Sequence, residues 1–208
     1  MPEVYTDTYL TIENASKGLF KDKGSKFFAF AYPVSTEPII KEHLDLLRKE
    51  YFDARHHCYA YRLGVDMKNF RIFDDGEPSN SAGKPILGQI VAHNLTDILI
   101  VVIRYFGGTL LGVGGLIQAY KTASMEAISN ATIVSKEITD TLKLKFDYPL
   151  QNQVNRLIKE YNISIIQSKF DFDCQLTVQC RKNSTNQLLS KFKELIYVNI
   201  SLNENIDL

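Results

Sequence analysis

The pattern of apolar residues predicts an α+β chain of two domains, 1–138 and 139–208. Two observations carry this. Strand-like alternation and helical spacing follow one another along the chain instead of forming one all-α or all-β run. The character then changes around residues 135–141, beyond which the order reads β-α-β-β-α-β, the pattern of a ferredoxin-like unit.

The elements follow in order. Residues 8–34 hold β-rich pieces: Thr8 to Ile12, Gly18-Leu19-Phe20, and Lys26 to Val34 with its phenylalanines. Ile39, Ile40, His43, Leu44, Leu46 and Leu47 recur at helical spacing over 36–50, with Thr36 placed to cap and Pro38 in the first turn. Arg55 to Leu63 alternates as a strand. Arg55, His57, Tyr59 and Tyr61 share one face, and His56, Cys58, Ala60 and Arg62 the other. Phe70 to Phe73 is a short strand, Asp74 to Pro85 a polar loop and Ile86 to Ala92 a helix. Asp97 to Phe106 is a nearly all-apolar buried strand. A glycine loop, Gly107 to Gly115, leads into a helix from about Leu116 to Asn130 with Leu116, Tyr120, Ala123 and Ala127 as its stripe. The second domain then runs Thr141–Tyr148, Leu150–Tyr161, Ile163–Phe170, Cys174–Cys180, Ser184–Ile196 and Val198–Asn203.

Composition bounds the function. The 208 residues include 23% charged residues, 11 Gly and 6 Pro, ordinary globular values that exclude a disordered, collagenous or low-complexity chain. Lys and Arg total 24 and Asp and Glu total 24, so the net charge is zero. That excludes a strongly cationic nucleic-acid tail or an acidic tail, and any phosphate contact must be local. The 3 cysteines lack the CxxC spacing of a zinc or redox site and form no disulfide framework. Met1-Pro2-Glu3-Val4-Tyr5 lacks a signal-peptide pattern, and the longest apolar run, Ile98 to Ile103, is too short for a bilayer. A cytoplasmic protein without membrane contact is expected.

Three segments carry candidate chemistry. Five glycines, Gly107, Gly108, Gly112, Gly114 and Gly115, lie between a buried strand and a helix, and no acid occurs between Arg104 and Lys121. Free N–H groups at a helix start attract anions, so the loop reads either as a phosphate cradle or as a tight packing turn. Its spacing is neither Walker nor Rossmann. Asp74, Asp75 and Glu77, with Ser79, Ser81 and Lys84, could hold a hard cation or a phosphate, or simply form a polar turn. His56 and His57 point to opposite faces and cannot share one ion from a regular strand. The Arg55/His57/Tyr59/Tyr61 face could stack bases or pack under a helix, and His56 with Cys58 is a conceivable nucleophilic pair lacking a third orienting group.

Five segments in order resemble the YigZ/IMPACT family: Lys23 to Phe27, Asp53 to Cys58, Asp74 to Pro78, Ala82 to Leu87 and Val102 to Tyr120. The resemblance covers nearly the whole chain. It implies a first domain of the ribosomal-protein-S-five domain-two type, similar to domain IV of elongation factor G. It also implies a ferredoxin-like second domain similar to domain V of that factor. Eukaryotic IMPACT proteins inhibit activation of a translation-initiation-factor kinase by competing for its activator, using an additional N-terminal domain without counterpart in these residues. For bacterial members, RNA or ribosome binding is inferred from the fold. Asn80-Ser81 departs from the family's usual Gly-Thr pair.

The expectation is therefore a translation-linked regulator that binds RNA or the ribosome, or a protein partner in translation control, without DNA specificity and without a cofactor. Candidate phosphate contacts are Arg55, His57, Lys84, Arg104, Gly107, Gly108, Thr109, Gly112, Gly114, Gly115 and Lys121, and no residue is assigned to catalysis or metal binding. A phosphate- or nucleotide-binding enzyme and a protein-interaction module are the alternatives.

Overall fold

The structure, a computed structural model, describes residues 7–195 and 198–202. The expected N-terminal reading over Met1 to Tyr5, and the expected ends of the last helix and strand at Ile196 and Asn203, lie outside the described residues. The chain is mixed α/β with several sheets and divides into two compact units, Tyr9–Lys136 and the residues from 137 onward with residues 7–8.

The first unit contains β1 (Thr8–Ile12), β2 (Ser16–Asp22), β3 (Ser25–Pro33), α1 (Glu37–Glu50), β4 (His56–Leu63), β5 (Asn69–Phe73), α2 (Gly83–Ala92), β6 (Ile98–Tyr105), α3 (Gly112–Ser129) and β7 (Ile133–Glu137). Five strands form one antiparallel sheet in the order β2-β3-β6-β4-β5. Ile40, Leu44 and Leu47 of α1 pack on one face against Tyr59, Tyr61, Leu99, Val101 and Ile103. Ile86, Ile90, Leu116, Tyr120 and Ala123 of α2 and α3 pack on the other, against Phe27, Cys58, Ala60, Ile100 and Val102. Burial on both faces is why β6, central in the sheet, is apolar without alternation.

The starts of two helices and the presence of one strand differ from the sequence reading. α2 begins at Gly83, inside the expected loop, because the Asp74 carboxylate caps its first amides. α3 begins at Gly112, whose φ of 70° makes the turn into the helix, so Gly114 and Gly115 are helical despite their poor propensity. β7 was not expected and pairs with β1 in a two-stranded sheet. Thr36 is the N-cap of α1 but makes no side-chain capping bond; Glu37 and Pro38 fill the first turn instead.

The second unit contains β8 (Thr139–Phe146), α4 (Gln151–Glu160), β9 (Ser164–Phe170), β10 (Cys174–Arg181), α5 (Thr185–Glu194) and β11 (Asn199–Leu202). The sheet order β11-β8-β10-β9 places its strands fourth, first, third, second. Leu142, Leu144, Phe146, Leu176 and Val178 face Val154 and Ile158 of α4 and Leu188 and Phe192 of α5. All three cysteines are free and buried.

Candidate functional site: one end of the five-stranded sheet

The sheet register gathers the distant motifs at one end of the first unit. Lys26 pairs with Tyr105 and Phe27 with Arg104 across β3 and β6. His56 pairs with Arg104 across β4 and β6, and β5 ends beside the start of β4. The turn at Lys23-Gly24, the segment Asp53 to Arg55, the loop after β5 and the glycine loop after β6 therefore surround the same end of the sheet.

Two carboxylates organise the loop after β5. Asp74 accepts N–H bonds from Asn80 (2.8 Å), Ala82 (3.0 Å) and Gly83 (2.8 Å), which fills the N-terminus of α2 with an internal anion. Asp75 accepts the N–H of His57 at 2.7 Å, and its carbonyl lies 2.8 Å from His56 Nδ1. Asn80 has φ 62°, a left-handed conformation that asparagine tolerates far better than most residues. The conformation therefore comes at no great cost, and the loop keeps its bond to Asp74.

Glu77 turns inward. Arg104 Nη1 donates to Glu77 Oε1 at 2.7 Å, and the Tyr120 hydroxyl donates to the same oxygen at 2.8 Å. The Arg104 and Glu77 side chains are 6% and 4% exposed. The guanidinium also lies over the rings of Phe27 and Phe106 at 5.5 and 5.6 Å. Cys58 Sγ sits 3.3 Å from Tyr120 Oη and 3.0 Å from the Asp74 carbonyl. Burial pushes the Cys58 thiol and the Tyr120 phenol well above their ordinary values. Cys58 Sγ thus meets Tyr120 and the Asp74 carbonyl while His56 Nδ1 meets the Asp75 carbonyl, and no bond between the two side chains occurs among the described residues.

The glycine loop is built differently. The Gly107 N–H donates to Ser25 Oγ at 3.1 Å, and a Cβ on Gly107 would stand 1.9 Å from the Gly24 carbonyl carbon. That glycine is required by packing. Gly114, in the first turn of α3, would meet nothing within 4 Å. α3 has no side-chain cap and no acid in its first turn, so its leading N–H groups remain available. Around the loop, Phe106, Leu110 and Val113 are 54%, 83% and 53% exposed.

The candidate residues separate accordingly. Arg55, Lys84, Gly108, Thr109, Gly112, Gly114 and Lys121 are exposed, and Gly107 and Gly115 partly buried. Lys121 stands more than two turns along α3 from its start. Arg104 and His57, expected to reach phosphates, are each 6% exposed. Arg104 is committed to Glu77, and His57 lies with Tyr59 and Tyr61 on the face that α1 covers, which also removes that face as a base-stacking platform. Burial holds the His57 imidazole below its ordinary value, with Asp75 partly opposing. Lys23 and Lys26 are exposed at this end and were not among the expected contacts. Their signal was Gly24, whose φ of 80° lets the strand start turn against Gly107. Among the described residues no group of three or more His, Cys, Asp or Glu is arranged to hold a metal ion. None of the described helices is long and apolar enough to cross a membrane.

The Impact N-terminal domain family matches residues 23–128, a span that encloses every motif at this end of the sheet. The chain is 28% identical over 188 residues to the IMPACT family member YvyE of Bacillus subtilis (strain 168), across 90% of this chain and 87% of that protein. It is 33% identical over 150 residues to the IMPACT family member YigZ of Escherichia coli (strain K12), across 71% of this chain and 74% of that one. Among solved structures, it is similar to the crystal structure of a hypothetical protein, with TM-score 0.74 and 27% identity over 96% of this chain and 100% of that one.

Proposed function

The chain belongs to the IMPACT family, and from that premise we propose that it is a translation-linked regulator contacting RNA or the ribosome through the motif end of its five-stranded sheet. One observation carries the reading. Of the two helix N-termini at this end, α2 is closed by the Asp74 carboxylate while α3 is left uncapped beneath the glycine loop. An uncapped N-terminus offers N–H donors and a positive dipole end to a phosphate oxygen. The exposed cations Lys23, Lys26, Arg55 and Lys84 stand on segments at the same end of the sheet and supply sequence-independent attraction.

The fold reading supports the same partner class. We take the two units as counterparts of domains IV and V of elongation factor G, and the fourth-first-third-second strand order of the second unit is consistent with that. The regulatory half of the proposal rests on family membership alone, because the domain with which eukaryotic members restrain the kinase has no counterpart in these residues.

A protein partner is the second reading, favoured by the exposed Phe106, Leu110 and Val113 beside the glycine loop. Co-sedimentation of the purified chain with ribosomes, with and without nuclease, separates the two. Nuclease-sensitive binding that weakens steeply with salt is expected. Nuclease-resistant, salt-insensitive capture would assign the surface to protein instead.

A further inference from the structure

The second unit carries its helices on one face only. Residues alternate along its strands, and the opposite face is formed by Lys143 and Lys145 of β8, Gln175 and Thr177 of β10, Gln167 and Lys169 of β9, and Asn199 and Ser201 of β11. The register sets these side by side: Ser201, Lys143, Thr177 and Gln167 in one row, Asn199, Lys145, Gln175 and Lys169 in the next. With Leu144, Leu176 and Ile200, whose side chains alternate toward the helix-covered face, they line a shallow depression of about 530 Å³. No carboxylate stands in either row.

We propose that this face binds the backbone of an A-form RNA duplex. Its chemistry selects that occupant. The two rows contain no aromatic side chain, and the exposed Phe170 and Phe172 stand at the end of β9 and in the turn after it, so the rows themselves offer no platform on which successive unpaired bases could stack, the usual mode for single strands. They contain no aliphatic side chain, so an amphipathic helix would find nothing to bury against. What they present is three ammonium groups among amides and hydroxyls. Duplex RNA displays phosphates and 2′-hydroxyls across a wide minor groove and is read largely through those groups. Amide and hydroxyl side chains can both donate to and accept from a 2′-hydroxyl, and the lysines neutralise phosphates.

Among the described residues, the acids paired with these lysines stand on the turn between β9 and β10. Asp173 holds Lys145 at 2.7 Å and Asp171 holds Lys169 at 3.0 Å. Both lysines are more than half exposed, and exposed pairs of this kind yield readily to a competing phosphate. Lys143, central in its row, has no carboxylate partner among the described residues.

The duplex proposal keeps the RNA class of the proposed function but places contact on a different surface, so the two fail separately. The test uses the full chain against 20-base-pair duplex RNA, the same strand unpaired, B-form DNA of the same sequence, and heparin. Duplex RNA is expected to bind best. The triple variant Lys143→Gln, Lys145→Gln, Lys169→Gln is expected to lose at least tenfold in duplex affinity, and the slope of log K against log salt should fall by about two to three. Its thermal midpoint should match wild type, because all three positions are exposed. Equal affinity for heparin or B-form DNA would reduce the face to a general polyanion surface and overturn the proposal. Unchanged affinity and slope in the triple variant would overturn it as well. Loss of duplex binding on changing Arg55 and Lys84, with the triple variant intact, would leave only the motif end as an RNA surface.

Discussion

Arg104→Met tests whether the acid-free stretch after β6 gains its importance from contact with a partner or from the interior. The guanidinium and the Glu77 carboxylate are 6% and 4% exposed and 2.7 Å apart. Removing one member of a buried pair leaves the other charged, desolvated and uncompensated, which costs about 3–5 kcal/mol. Tyr120 softens the loss, since its hydroxyl still donates to Glu77. Against a total stability of about 5–15 kcal/mol, the change remains large. Urea unfolding followed by far-UV circular dichroism measures it, the chain having no tryptophan. The double variant Glu77→Gln, Arg104→Met should recover part of the loss, giving a coupling energy of about 0.5–3 kcal/mol. Arg104→Met within about 1 kcal/mol of wild type, or additive single and double variants, would refute the buried pair as a structural link. RNA affinity, corrected for the folded fraction, should change little; a selective loss would return Arg104 to the contact surface.

Asp74→Ala should cost about 2 kcal/mol in urea unfolding, because three loop and helix N–H groups lose their acceptor together. Gly107→Ala should destabilise by about 3 kcal/mol, since the new Cβ would stand 2.1 Å from the Ser25 nitrogen; an unchanged melting temperature would show that the strand start moves freely. Burial lowers the His57 and His43 imidazoles from the ordinary 6.5. The unfolded chain thus takes up the proton first. Their contribution is complete above that pH and declines as pH falls below it. Urea midpoints at pH 7.5 and 5.5 should differ less for His57→Phe than for wild type.

Much of the fold was legible because burial imposes periodicity. The apolar run Ile98 to Ile103 read as a strand covered on both sides, as it is, and the β-α-β-β-α-β order followed from alternation and helical spacing. The site was less legible. A histidine and two tyrosines alternating on β4 read equally as a platform for bases or as a surface beneath a helix, and only the placement of α1 decides. The partner of Arg104 lies 27 residues upstream, and no local spacing announces it. Asp74 reads as a loop acid until the loop folds back so that its carboxylate meets the amides of Ala82 and Gly83. The five glycines looked alike in sequence, yet Gly107 is held by packing and Gly114 by nothing in the fold.

Gly114→Glu tests the central claim most directly. A Cβ there meets nothing within 4 Å, and both the loss of a helical glycine and an acid in the first turn favour α3, together by about 1 kcal/mol. The carboxylate would occupy the N-terminus proposed to receive phosphate. The prediction is a protein as stable as wild type or more so, with ribosome and RNA binding through the motif end reduced at least tenfold. Undiminished binding by the stable variant would contradict the account.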